Sequence, residues 1–345
     1  MKESLLYKKD IDPFYKDLKK DYKVYRVKKK GPHYVFGEAP DFWDPGEDYI
    51  PTILPPKKYL QPQEETLFCM ALAPRPSLKP KIEAPPQVIF GVRPCDISGI
   101  SLTDKVFFDT NVDPYYKARR ENTIIVGIDC LRPCDKDCFC STVGSLDVKK
   151  EGFDLLLTDI GEGYFITVGT PRGEKLLQDF SKATKPLEEE KQLFLARREG
   201  RKKEYPYKFK TELSNLPLLF TSNWEHPVWK EIGDICLACG RCNLVCPTCY
   251  CFDTFDAMEV SLREGERRRQ WDGCLLAEFA VIAGGVNFRA QRSQRLRHRF
   301  NRKFNYQMAK HGQSHCVGCG RCYRACLVHI HPVEVVNRLV EGRMP

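Results

Sequence analysis

CLACGRCNLVCP at residues 236–247 and CVGCGRCYRACL at residues 316–327 decide how this chain is read. Both follow the spacing C-x2-C-x2-C-x3-C, with cysteines at 236, 239, 242 and 246 and again at 316, 319, 322 and 326. Three thiolates separated by pairs of residues lie on one tight loop and can grip three corners of an iron–sulfur cube. The fourth, three residues further on, is carried away at the start of a helix and points to a neighbouring cube. The spacing therefore predicts Cys236, Cys239, Cys242 and Cys326 around one 4Fe–4S cluster, and Cys316, Cys319, Cys322 and Cys246 around a second. Gly240 and Gly320 fall where the loop backbone has to approach the sulfides closely and a side chain would obstruct it.

CxxC pairs also bind zinc, so eight cysteines could make two separate zinc sites. Zinc sites are built from pairs, however, whereas here triplets carry a fourth member at a fixed offset, twice over. That is the spacing of bacterial two-cluster ferredoxins. Proline follows the first motif (Pro247), but leucine follows the second (Leu327), a departure from the usual ending.

The rest of the composition agrees with a metal-binding reading. The chain has 345 residues, 17 of them cysteine, with 42% apolar and 29% charged residues. Such a chain is globular and long enough for two or three domains. The N-terminus, MKESLLYKKDIDPFYKDLKK, scatters charge through its length and has no apolar core of a secretory signal, which places the protein in the cytoplasm. In that reducing compartment cysteines at CxxC spacing point to metal rather than to disulfides. No apolar run approaches the length of a membrane-spanning helix.

Working towards the N-terminus, the sequence changes character. YKVYRVKKK and HYVFGE read as strands, and ILPPKKYLQPQEETLF as a rigid proline stretch. VIFGV (88–92) and TIIVGI (123–128) are β-branched and apolar on both parities, the pattern of strands buried on both faces. FDLLLTDIGEGYFITVG reads as a hairpin. Residues 188–203 are charged and helix-prone, ending in RREGRKK, and read as a surface helix and connector. The predicted architecture is an α/β domain over residues 1–205, a linker over 206–228, and an α-helical ferredoxin-like dicluster domain over 229–345.

A second constellation lies in the α/β part. Cys95 follows VIFGV, and Cys130, Cys134, Cys138 and Cys140 follow TIIVGI. If these strands are parallel neighbours, both loops leave the same carboxyl edge, where α/β folds gather ligands. Cys95, Cys130, Cys138 and Cys140 are then candidates for a third cluster, with Cys134 left over. A zinc site, or simple burial of small apolar side chains, fits the same residues. Cys249, Cys251 and Cys274 supply three sulfurs where a cubane takes four, and read as structural; Cys69 reads as core.

The formal net charge of +9 concentrates between Arg263 and Lys303, in REGERRRQWDGC and NFRAQRSQRLRHRFNRK. A solvated helix face, a cationic shell around anionic clusters and a dock for an acidic partner all fit this run. Nucleic acid fits it less well, because no nucleic-acid motif accompanies the charge. His315, His329 and His331 flank the second motif as supporting or surface groups. No G-x-G-x-x-G follows a strand and no Walker loop is present, so no nucleotide site is expected.

Beyond the cysteines, PPKKYLQPQEETLF, VIFGVRPCDISGI, DPYYKARRENTIIVGIDC, CFCSTVGS, GDICLACGRCNLVCPTCYCFD, WDGC, AGGVNFR and CVGCGRC occur in this order. Together they resemble the beta subunit of cytoplasmic NAD(P)-linked nickel–iron hydrogenases, the sulfhydrogenases, and more distantly the A subunit of anaerobic sulfite reductase. The resemblance runs from about Pro55 to Cys326. It implies a non-catalytic electron-transfer subunit beside a flavin subunit that handles NAD(P)H and a catalytic hydrogenase-like or reductase subunit. Related subunits carry cysteines in the segments around 95 and 130–140, which favours the third cluster. The alternative is a subunit that itself reduces polysulfide or sulfite, at a cluster or at thiols such as Cys249 and Cys251.

Overall fold

The computed structural model of the chain describes residues 3–42, 49–72, 74–149, 151–199, 201 and 205–342. Most of the end of the basic tract at 197–203 lies outside the described residues. Among the described residues nine of the eleven strands fall before residue 170: β1 (Glu3–Tyr7), β2 (Lys23–Lys30), β3 (His33–Glu38), β4 (Glu64–Ala71), β5 (Ser77–Pro80), β6 (Gln87–Val92), β7 (Thr123–Ile128), β8 (Leu155–Asp159) and β9 (Gly163–Val168). Seven of these form one sheet in the order β1-β9-β8-β7-β6-β2-β3. Its centre is parallel, with Ile89 opposite Ile125 across β6 and β7, and its edges are antiparallel.

The two uniformly apolar strands behave as their sequence predicts, since every residue of β6 and of β7 is buried. Helices Lys8–Asp21 and Pro171–Phe180 cover one face, packing Phe14, Leu18 and Leu176 on Val88, Phe90 and Leu155. Helix Pro94–Phe107 covers the other, with Ile97, Ile100 and Phe107 against Ile89, Ile125 and Leu156. This arrangement positions the N-terminal cysteines. β6 ends at Val92 and runs into the helix that carries Cys95, and β7 ends at Ile128 and runs into Cys130, so both sets leave one edge of the sheet.

A second core, of Phe220, Trp229, Phe300, Phe304 and Val336, holds helices Leu216–Ser222, Val228–Ile235, Arg292–Asn301 and Pro332–Glu341 together. Leu216–Ser222 falls in the stretch expected as a linker, yet Leu216 and Phe220 are fully buried in this core.

The C-terminal half is not purely helical, which corrects the sequence expectation. β10 (Phe252–Met258) and β11 (Glu264–Trp271) form a hairpin that joins β4 and β5 in a four-stranded sheet, in the order β10-β11-β4-β5. The two halves of the chain therefore share a sheet. The second part of the arginine run is helical, as a basic helix face requires, over Arg292–Asn301, but the first part lies on β11 and its charges are matched by neighbouring acids. Arg267 pairs with Asp256 through two contacts of 2.7 Å, Arg268 with Glu64 at 3.1 Å, and Arg269 with Glu65 at 2.7 Å and with Asp113. Three consecutive arginines on β11, between β10 and β4, meet acids on both neighbouring strands and at Asp113. Cys69 belongs to β4 and is half-buried beside Glu266, rather than in the core.

The N-terminal cysteine loop docks directly on the second cysteine motif. Phe139 N–H donates to the Gly318 carbonyl at 2.7 Å, and the Ser145 hydroxyl to the Val317 carbonyl at 2.6 Å. Gly318 has φ of +61°, and a Cβ there would lie 2.5 Å from the Phe139 carbonyl carbon. Gly318→Ala is therefore expected to cost about 2–3 kcal/mol, combining left-handed backbone strain and overpacking. Anaerobic denaturant unfolding measures it, and an unchanged midpoint would show that the loops do not meet as described.

Candidate iron–sulfur sites

Each motif loop is shaped by two residues in the left-handed region. Ala238 and Gly240 have φ of +51° and +71°, and their counterparts Gly318 and Gly320 have +61° and +75°. Gly240 and Gly320 start the one-turn helices Arg241–Leu244 and Arg321–Arg324. These helices pack against each other. That contact carries the last cysteine of each motif towards the other motif's loop.

Cys236, Cys239, Cys242 and Cys326 line one cavity, with about 530 Å³ of space not filled by atoms, together with Cys322, Leu296 and Phe300. The buried Arg299 also lines it, and its Nε makes no hydrogen bond within the protein. A hollow ringed by four sulfurs, with a buried cation aimed at it and apolar walls elsewhere, fits an anionic cubane. Cys246 instead lies with the second motif, close enough to Cys316 and Cys319 to act on both electrostatically. Burial pushes Cys242 and Cys319 each up to about 12, so iron binding there has to displace a proton.

Around Cys246 lie the sulfurs that the motifs do not use. Cys249 hydrogen-bonds Cys246, and the Asn243 amide nitrogen sits 3.5 Å from both Cys249 Sγ and Cys274 Sγ. Two buried lysines face this group. Lys303 Nζ donates to the Thr248 carbonyl and hydroxyl at 3.1 and 2.7 Å, and Lys57 Nζ donates to the Cys249 carbonyl while lying 4.1 Å over Trp271. Burial pushes Lys57 down to about 8; at Lys303 burial acts the same way, but Cys246 and Cys249 outweigh it and the value rises. Sequence reasoning missed both lysines, because nothing local ties residue 57 to residue 249.

The N-terminal cysteines converge as well: Cys95, Cys130, Cys138 and Cys140 are buried in one cluster, with the half-buried Cys134 packed against it. Cys134 lies close to Cys130 and Cys138, and their interaction holds its thiol well below the ordinary value. Cys138 in turn bonds Cys140. Cys95 is buried in the same group and lies towards Cys319 of the second motif. Buried Arg93 reaches within 3.6 Å of Cys130 Sγ. Nearby, Arg201 pairs with Asp129 at 2.6 Å.

Of the flanking histidines, His315 is buried, pushed down to about 3 by burial and by Lys303. His331 is buried and stacks on Tyr207 at 3.9 Å, whereas His329 is exposed. Among the described residues no three His, Cys, Asp or Glu side chains close on one point as ligands of a single ion. No helix among them is long and apolar enough to cross a membrane.

Residues 235–330 match the family model of a 4Fe–4S dicluster domain. The chain is 36% identical over 344 residues to sulfhydrogenase 2 subunit beta of Pyrococcus furiosus, covering 98% of each protein. No solved structure matches. Identity at this level along the whole length, with the dicluster domain embedded in it, means that the chain belongs to the sulfhydrogenase beta-subunit family.

Proposed function

We propose that the chain is an electron relay within a multi-subunit oxidoreductase, passing electrons between a flavin subunit that handles NAD(P)H and a hydrogenase-like or reductase subunit. Cys236, Cys239, Cys242 and Cys326 hold one 4Fe–4S cluster, and Cys316, Cys319, Cys322 and Cys246 hold the other. Cys130, Cys134, Cys138 and Cys140 hold a third centre, with Cys95 between it and Cys319. The observation that carries this reading is the cavity lined by Cys236, Cys239 and Cys242 of the first motif together with Cys326 and Cys322 of the second, and not by Cys246, Cys316 or Cys319. Such clusters supply one-electron transfer, which lets a two-electron flavin feed a one-electron chain. The chain's own residues supply burial, hydrogen bonds to sulfur and local charge.

The assignment of Cys134 has a direct test. Three cubanes amount to about twelve irons per chain. Cys134→Ser is expected to lower that to about eight, while Cys95→Ser keeps about twelve; the opposite pattern restores the grouping read from the sequence.

Lys303 sets the potential of the cluster that includes Cys246. A unit charge about 7 Å away at an effective dielectric of about 20 contributes roughly 2 kcal/mol. That is on the order of 100 mV for one electron. Lys303→Met is expected to lower that cluster's midpoint by this amount in an EPR-monitored redox titration and to leave the other cluster unmoved.

The relay reading requires that the isolated chain, given electrons by a reduced viologen, does not turn over polysulfide or sulfite. The two sulfurs near Cys246, those of Cys249 and Cys274, favour looking for the opposite. Turnover that disappears in Cys249→Ser would make the chain a sulfur reductase instead.

A further inference from the structure

The two motifs are alike in sequence and backbone, yet their surroundings differ at every corresponding position on one face. Val317, Cys319, Arg321 and Pro247 are buried, whereas their counterparts Leu237, Cys239, Arg241 and Leu327 are exposed. Leu237 and Leu327 are 55% and 57% exposed, and Cys239 is the one exposed thiol among all 17 cysteines.

What buries the first face is the N-terminal domain. Asp96 accepts two hydrogen bonds from Arg321, at 2.6 and 2.7 Å, with both side chains 1% exposed. Gly99 packs so tightly on Pro247 that a Cβ there would lie 2.9 Å from the Pro247 side chain. Phe139 and Ser145 close over Val317 and Gly318. The covering element is itself the loop that carries the N-terminal cysteines, so this face of the dicluster unit receives a redox-bearing segment through a carboxylate and an apolar contact.

The second face has apolar residues and an arginine at the corresponding positions, but no described residue buries them. Arg241 makes no ion pair among the described residues, although its counterpart is locked to a carboxylate. Leu237, Cys239, Arg241 and Leu327 all line the cavity ringed by the first set of four sulfurs. Resting on the relay reading above, we propose that this face docks a partner chain that carries a redox group close to its surface. The partner presents a carboxylate to Arg241 and an apolar patch to Leu237 and Leu327, as Asp96 and its neighbours do for the opposite face. Each transfer across the contact moves one electron: one centre is oxidised by one as the other is reduced by one, and no bond is made or broken. Leucine rather than proline after the second motif, unexplained as a ligand feature, then becomes a contact residue.

The test uses the full chain in its producing cells, with a photo-crosslinking amino acid at position 237 or 327 and, as a control, at the still more exposed position 218. Irradiation is expected to join positions 237 and 327, but not 218, to one and the same chain, and that chain should contain a flavin or iron–sulfur group when isolated. Arg241→Glu should cut the yield by more than about tenfold, as reversal of a buried interfacial charge does, and Arg241→Lys should restore part of it. Iron per chain is measured on the same samples, and crosslinking yields are compared per iron-loaded chain. Crosslinks to a second copy of this chain, to a protein without a redox group, or to nothing overturn the proposal, as does a yield indifferent to Arg241→Glu. Missing iron in the wild-type protein is a separate failure, that of the relay reading itself.

Discussion

Cys326→Ser removes about four irons per chain, and the cluster that disappears is the one ringed by Cys236, Cys239 and Cys242, in the other motif. This follows from the shared cavity, which Cys326 enters from the helix Arg321–Arg324 while Cys316 and Cys319 of its own motif do not line it. Double replacements make the outcome decisive, because residues that act as one unit are not additive. Cys326→Ser with Cys236→Ser loses no more iron than either alone, whereas Cys326→Ser with Cys316→Ser loses both clusters. Should Cys326→Ser and Cys316→Ser abolish the same EPR signal, each motif holds its own cluster and the exchange is wrong.

Arg321→Ala is expected to destabilise the chain by about 3–5 kcal/mol, the range for leaving one member of a buried ion pair uncompensated. The guanidinium also donates to the Thr52 carbonyl at 2.7 Å, so its loss orphans Asp96 and opens the seam between the two halves. Asp96→Asn should cost less than Arg321→Ala, since the amide keeps one acceptor for the arginine. Arg241→Ala, the corresponding change on the uncovered face, is expected to shift stability by less than about 0.5 kcal/mol in the isolated chain. Anaerobic guanidinium unfolding followed by cluster absorbance measures all three. Equal midpoints for Arg321→Ala and Arg241→Ala would mean that the buried pair does not hold the halves together.

The parts of the fold legible in the sequence are those with a strong local period. β6 and β7 are short, β-branched and apolar on both parities, and they lie side by side in the centre of the sheet. The motif loops likewise carry their geometry in residue spacing and in glycine. β11 was not legible, because Arg267, Arg268 and Arg269 look like a solvated helix face until the acids of β4 and β10 are seen beside them. The N-terminal cysteines were legible only as a set: five of them offered several ways to choose four, and the fold brings all five together. Long-range partners such as Asp96 for Arg321, or Lys57 for the Cys249 carbonyl, leave no periodic trace. The difference between the two motif faces was partly visible, in Pro247 against Leu327, but its meaning needed the covering domain.

Anaerobically purified chain analysed for iron, zinc and acid-labile sulfide tests the central claim most directly. The account predicts iron and inorganic sulfide in equal amounts, at least about eight of each per chain and about twelve with the third centre filled. Zinc in place of iron, or iron without inorganic sulfide, would contradict it.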